Sequence, residues 1–142
     1  MKITFIVAVL LITHSSLPAQ DLKPTQIPVA VKRALEKRYP QSSHVSWEKE
    51  KGNYEANWGG KSGEDNSVQF TPSGEFIEIV KAIPVNQLPK GATNYIREHY
   101  KSVKITEAGR VTNAKDETFY EAEVHGKDLL FSKEGSFISR EN

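Results

Sequence analysis

The chain contains no cysteine. Disulfides, a thiol nucleophile and a lipid carried on an N-terminal cysteine are therefore excluded, and the fold must be held by its own core. The charge is also nearly balanced, with 19 basic and 18 acidic residues. With no basic field to draw in a phosphate backbone, and no nucleic-acid-binding motif, nucleic acid is not an expected partner. Long apolar runs are absent. The longest, "ITFIVAVLLI" at residues 3–12, has ten residues, about half of the roughly 20 that a membrane-spanning helix needs.

Catalytic patterns are absent too. No G-x-S-x-G motif occurs. "GGKSGED" at 59–65 superficially resembles a phosphate loop, but Glu55 stands where such a loop requires its first glycine. The histidines beyond the N-terminal segment, His44, His99 and His125, are too far apart for a zinc pair, and no cysteine supplements them. The acids show no calcium-loop spacing. No metal, no cofactor and no enzymatic activity are expected.

What is present begins with a leader. Met1-Lys2, the ten-residue apolar run and the small-residue exit "THSSLPAQ" form a secretory signal peptide over 1–19. Cleavage after Ala19 leaves Gln20 or Asp21 at the mature start. Lys2 leaves with it, so 18 basic residues face 18 acidic ones. No stable membrane anchor is expected after cleavage. A cysteine-free exported domain fits a bacterial periplasm or the medium, since small secreted eukaryotic domains more often rely on bridges.

The mature chain repeats itself. "IPVAVKRALEKRYP" (27–40) matches "LPKGATNYIREHYK" (88–101) at an offset of 61, setting Pro28 on Pro89, Val31 on Ala92, Leu35 on Ile96 and Tyr39 on Tyr100. "VQFTPSGEFI" (68–77) matches "LLFSKEGSFI" (129–138) at the same offset. "NYEANW" matches "FYEAEV" at an offset of 66, so the intervening loops differ in length. Each copy reads as a proline-started helix with one apolar stripe, followed by about four antiparallel strands. The fold class is α+β: two tandem repeats over 20–80 and 88–142, joined by a connector at 81–87, each with its helix on one sheet face.

Within the first copy, "WEKEKGNYEANW" (47–58) reads as a hairpin about a Gly52-Asn53 turn, which sets Trp47 opposite Trp58 and Glu50 opposite Glu55. Alternation places Trp47, Tyr54, Ala56 and Trp58 on one face, and Glu48, Glu50, Glu55 and Asn57 on the other. Matching Val45 to Val103 aligns Trp47 with Ile105, so its ring is expected in the core. Trp58 aligns with Val124 and is likewise expected in the core, with a partly exposed ring the alternative because it borders the "GGKSG" loop. Trp58, Lys61, Glu48, Glu50 and Glu55 form the candidate interaction surface.

These same segments, from "IPVAVKRALEKRYPQSSHVSWEKEKGNYEANW" through "VQFTPSGEFIE" and "LPKGATNYIREHY" to "FYEAEVHGKDLLFSKEGSFI", resemble the PepSY-like, beta-lactamase-inhibitor-like proteins, small exported proteins of Bacteroidetes. The resemblance covers residues 25–140. It implies tandem helix-on-sheet units in the periplasm or at the cell surface and no established enzyme activity. Inhibition does not follow from fold likeness, and no inhibitory residue carries over. The expected function is a non-catalytic binding module for a periplasmic protein or peptide. The alternative is an envelope protein holding a small ligand between helix and sheet or between the repeats. If the leader is read correctly, the exported protein begins at Gln20 or Asp21 by intact mass, and a mature species that keeps residues 3–12 contradicts the reading.

Overall fold

The computed structural model describes residues 20–141. The signal-peptide reading lies outside the described residues. The chain runs β1 (Gln20–Leu22), α1 (Val29–Arg38), β2 (Ser46–Glu50), β3 (Asn53–Trp58), β4 (Asn66–Phe70) and β5 (Phe76–Ala82), then α2 (Lys90–His99), β6 (Glu107–Asn113), β7 (Thr118–Val124), β8 (Lys127–Ser132) and β9 (Phe137–Arg140). A short 3-10 turn precedes each helix, at Pro24–Gln26 and Val85–Gln87.

The helices start and stop for local reasons. Pro28 and Pro89 sit at the N-caps in extended backbone, and each carbonyl accepts from the third and fourth amides of its helix, closing the first turn. The residue before Pro40 is driven out of helical geometry, so Tyr39 ends α1 at φ −132°. Each helix buries two residues of its stripe, Val31 with Leu35 and Ala92 with Ile96.

The strands of the two copies do not form separate sheets. All nine lie in a single antiparallel sheet in chain order, and β5 pairs with β6 across the repeat junction from Glu78↔Asn113 to Ala82↔Gly109. Lys81 and Ala82, read as connector, are the end of β5. Because opposed residues in an antiparallel pair share a face, one face can be followed across the sheet. Trp47 opposes Ala56, Ala56 opposes Val68, and Val68 opposes Ile79. Ile79 opposes Thr112, and two alternations along β6 lead to Ala108, then to Ala122 and Leu129. Both helices cover this face, α1 over a cluster including Trp47, Trp58, Val68 and Phe70, and α2 over one including Ala108, Val124, Leu129 and Phe131.

Two local readings are corrected. The hairpin turns at Lys51-Gly52, both in left-handed backbone (φ 50° and 83°), as a two-residue primed turn requires. Trp47 therefore opposes Ala56, and Glu48 opposes Glu55. The displacement is two residues, an even number, so every side chain keeps its expected face. A large ring now lies across from a methyl instead of across from a second indole. The second correction concerns Trp47's counterpart, which is Ala108 and not Ile105. Ala108 opposes Ala122 as Trp47 opposes Ala56, while Ile105 packs on the second cluster from the segment before β6. Strand register decides equivalence, not distance from the preceding helix.

The "TPSG" and "SKEG" turns lock the helices down. Gly74 and Gly135 have φ 86° and 93°, and a Cβ on them would lie 2.7 Å from the Ala30 carbonyl oxygen and 2.8 Å from the Ala92 nitrogen. Only glycine allows both the left-handed turn and the approach to the helix start.

Trp47 and Trp58 are each 6% exposed, and Trp58 packs on Tyr39 with ring centroids 5.4 Å apart. Trp58 is thus a core residue, as its match to Val124 implies, and the loop beside it does not expose the ring. Trp47→Ala and Trp58→Ala are each expected to cost about 3–5 kcal/mol in urea unfolding, with Gly74→Ala costing about 1–3 kcal/mol. A loss below about 1 kcal/mol for either tryptophan contradicts the core assignment.

Candidate functional site

The face without helices is acidic, for the same geometric reason that the other is apolar. Glu48 opposes Glu55, Glu55 opposes Gln69, and Gln69 opposes Glu78. Further along, Glu107 opposes Glu123, and Glu123 opposes Asp128. Directly opposed like charges destabilise a sheet, so these rows are an electrostatic burden on the fold.

The face is also concave. The Lys51 ammonium, in the turn after β2, lies 2.9 Å from the Glu141 carboxylate, just past β9. In a flat sheet with strands about 4.8 Å apart, roughly 30 Å would separate them. Curling brings the ends together and turns the acidic rows inward. The resulting trough has a volume of about 560 Å³. Glu48 and Glu55 line it from the first copy, Glu107, Glu121, Glu123 and Asp128 from the second, and Glu64 and Asp65 from the loop after β3. None of its lining residues is lysine or arginine.

Amides and hydroxyls, not cations, hold several of these acids. The Asn57 amide donates to one Glu55 oxygen at 3.1 Å and the Gln69 amide to the other at 3.0 Å. The Thr106 hydroxyl donates to Glu123 at 2.6 Å. Glu121 opposes Gly109, where a Cβ would lie 3.0 Å from the Glu121 Oε1 and 2.6 Å from Val80. The glycine gives the carboxylate room to lie against the sheet floor.

That position perturbs Glu121. Burial, then the charges of Asp128, Glu78, Glu55 and Glu141, push its carboxyl up to about 8. Burial first and neighbouring carboxylates second also raise Glu48, Glu78, Glu107 and Asp128. Glu50 is raised by burial and by Glu55, against a smaller opposing effect of Lys51. Lys51 is raised in turn, chiefly by its hydrogen bond to Glu141.

Of the five candidate residues, Glu48 and Glu55 line the trough and Glu50 lies on the same face, with the Gln69 amide 3.5 Å from its carboxylate. Lys61 is exposed in the loop after β3, whose Ser62, Glu64 and Asp65 line one end. Trp58 stands apart, on the helix side. Sequence reasoning missed Glu107, Glu121, Glu123 and Asp128. Alternation in "TFYEAEV" was a usable signal for Glu121 and Glu123, since Tyr120, Ala122 and Val124 take the apolar face. That β7 and β8 curl toward β3 is a property of the whole sheet and has no local signal. Among the described residues, no group of three or more His, Cys, Asp or Glu side chains has the geometry to hold a metal ion.

The sign of the pH effect follows from Glu121. Its folded-state value lies above the ordinary 4.5, so between the two the folded state binds more protons than the unfolded. Stability then falls as pH rises through that window and is lowest above about 8. Glu121→Gln is expected to stabilise the protein by a few kcal/mol at about pH 8 and by little below pH 4.5, in urea unfolding at several pH values. A variant less stable than the parent at high pH contradicts the account.

A profile of the family described as "Putative beta-lactamase-inhibitor-like, PepSY-like" matches residues 16–59 and 60–139. No curated protein matches the chain. Among solved structures, a "putative periplasmic" protein from Bacteroides eggerthii is similar at TM-score 0.67 and 21% identity, over 82% of this chain and 88% of that one. A DUF2874 family protein from Bacteroides uniformis gives 0.65 and 22%, over 81% and 88%. A BLIP-like protein from Bacteroides fragilis gives 0.58 and 22%, over 84% and 86%. At these identities the likeness is one of fold. With the family profile spanning both copies, the chain belongs to the PepSY-like, beta-lactamase-inhibitor-like family.

Proposed function

We propose that the protein is a non-catalytic periplasmic binding module whose concave sheet face takes a lysine- or arginine-rich segment of a partner protein. The observation that carries this reading is the trough of about 560 Å³ lined by carboxylates from both copies and by no lysine or arginine. Packing acids together without cations costs stability, and such a burden is typical of surfaces kept for binding. A cationic segment laid along the trough supplies the missing countercharges and lowers the raised carboxyl groups back toward their ordinary range. The leader, together with the periplasmic description of the Bacteroides eggerthii protein, supports the location. The inhibitor-like family name brings no enzyme target with it.

The chemistry fixes how such binding behaves. Charge attraction in an open trough is screened as the Debye length falls from about 30 Å at 0.01 M salt to about 3 Å at 1 M. Calorimetric titration of the mature protein with a lysine-rich peptide is expected to show saturable binding that weakens with salt and strengthens from pH 6 to pH 8.5 as the trough ionises. Replacing Glu55 and Glu123 together with Gln is expected to weaken it about tenfold, equivalent to ~1.4 kcal/mol. Equal binding of an acidic peptide, or indifference to salt, contradicts the reading. Spermidine binding as tightly as the peptide assigns the trough to a small cation instead.

A further inference from the structure

The internal repeat shows a second surface, distinct from the trough. β9 is the counterpart of β5, with Phe137 on Phe76 and Ile138 on Ile77. β5 has two neighbours, β4 and β6, whereas β9 ends the sheet among the described residues. The same kind of strand is paired on both edges in one copy and on one edge in the other.

The direction of the free backbone groups can be assigned. The Glu141 amide donates to the Asp128 carbonyl at 2.8 Å, and Ser139 stands opposite Leu130. Alternation in an antiparallel ladder then points the Arg140 amide and carbonyl outward, and Ile138 is the extra residue of a β-bulge, without a ladder partner in β8. In the first copy Ile79, the counterpart of Arg140, is paired with Thr112 of β6, and the Ile83 amide extends the contact to the Ala108 carbonyl at 2.9 Å.

The side chains agree. Ile138 is 48% exposed and Phe137 37%, while Ile77 and Phe76 are half-buried. Phe137 is held flat by Tyr95, with ring centroids 4.5 Å apart and planes at 4°, so it is a rigid apolar wall beside the open edge. Edge strands are usually guarded by proline, inward charges or a covering element. Within β9, Arg140 is the one charged residue.

We propose that β9 pairs antiparallel with β9 of a second copy, in the place β6 takes beside β5. A register centred on Ser139 makes the contact self-complementary. Each Ile138 faces the partner subunit's Arg140, whose aliphatic stem covers it, and no two like charges are opposed. Antiparallel pairing of identical strands generates a closed twofold dimer. Opposed residues share a face, so both acidic troughs lie on the same side of one continuous sheet. The strand is only four residues long, so the association belongs to the weak class.

Sedimentation velocity on the mature protein from about 1 μM to about 1 mM tests this. A concentration-dependent monomer–dimer equilibrium is expected. Ile138→Lys, which guards the edge, and Arg140→Pro, which removes an outward donor, are each expected to abolish it. Thermal unfolding checks that both variants remain folded, and the high exposure of Ile138 makes Ile138→Lys decisive if Arg140→Pro disturbs the strand. Val29→Lys, at a 59% exposed apolar residue on α1, is expected to leave the dimer intact. A monomer throughout the range, a dimer that survives Ile138→Lys, or a monomer that pairs this edge only with an added extended peptide overturns the proposal.

Discussion

The ladder between β5 and β6 is the constraint on which the other features depend. It joins two copies of one helix-and-strand unit without a break in side-chain alternation. Had the junction slipped by one residue, the second copy's apolar residues would face away from the first copy's. With the junction as it is, Ile79 and Ala108 lie on the helix side, and Glu78 and Glu107 lie together on the other. A mainly apolar face and a strongly acidic one are two consequences of a single register.

The two faces carry opposite energetic signs. On the helix side, Phe70, Phe131, Leu129 and Val31 are fully buried, and each such side chain contributes on the order of 1.5–3 kcal/mol. That side stabilises a domain that has no disulfide. On the concave side, acids face acids, and burial raises several of them, Glu121 to about 8. The core tolerates the acidic face, and curling intensifies it by bringing carboxylates from distant strands within reach of one another. The Lys51–Glu141 contact is exposed on both sides, and pairs of that kind contribute roughly 0–1 kcal/mol. It reports the curvature more than it causes it.

Much of the architecture was legible in the residues, and the reason is the repeat. Each copy served as a check on the other, so the apolar stripes of α1 and α2, with Leu35 matched to Ile96, were readable from the residues alone. Alternation in "SWEKE" and "NYEANW" placed Glu48, Glu50 and Glu55 on the outer face, and it survived a misplaced turn because the displacement was even. Less legible were features that depend on sheet register or shape. Trp58 read as core from its match to Val124, with partial exposure left open by the glycine-rich loop beside it, and its strand neighbours carry it under α1. Glu107, Glu121, Glu123 and Asp128 join the site only because nine strands curl, and curvature has no signature in any short window. The repeat's unequal loops, seven residues at 59–65 against His125-Gly126 in the second copy, set Glu64 and Asp65 at one end of the trough.

The central claim is that the concave, helix-free face of the sheet is the binding surface and that it selects positive charge. Backbone chemical-shift mapping of the mature protein, titrated with a lysine-rich peptide, tests it most directly. The account predicts that the largest shifts fall at Glu55, Gly109, Glu121, Glu123 and Asp128, with α1 and α2 unaffected. Shifts concentrated on the helices or on the loop around Lys61, with the trough residues unchanged, would contradict it.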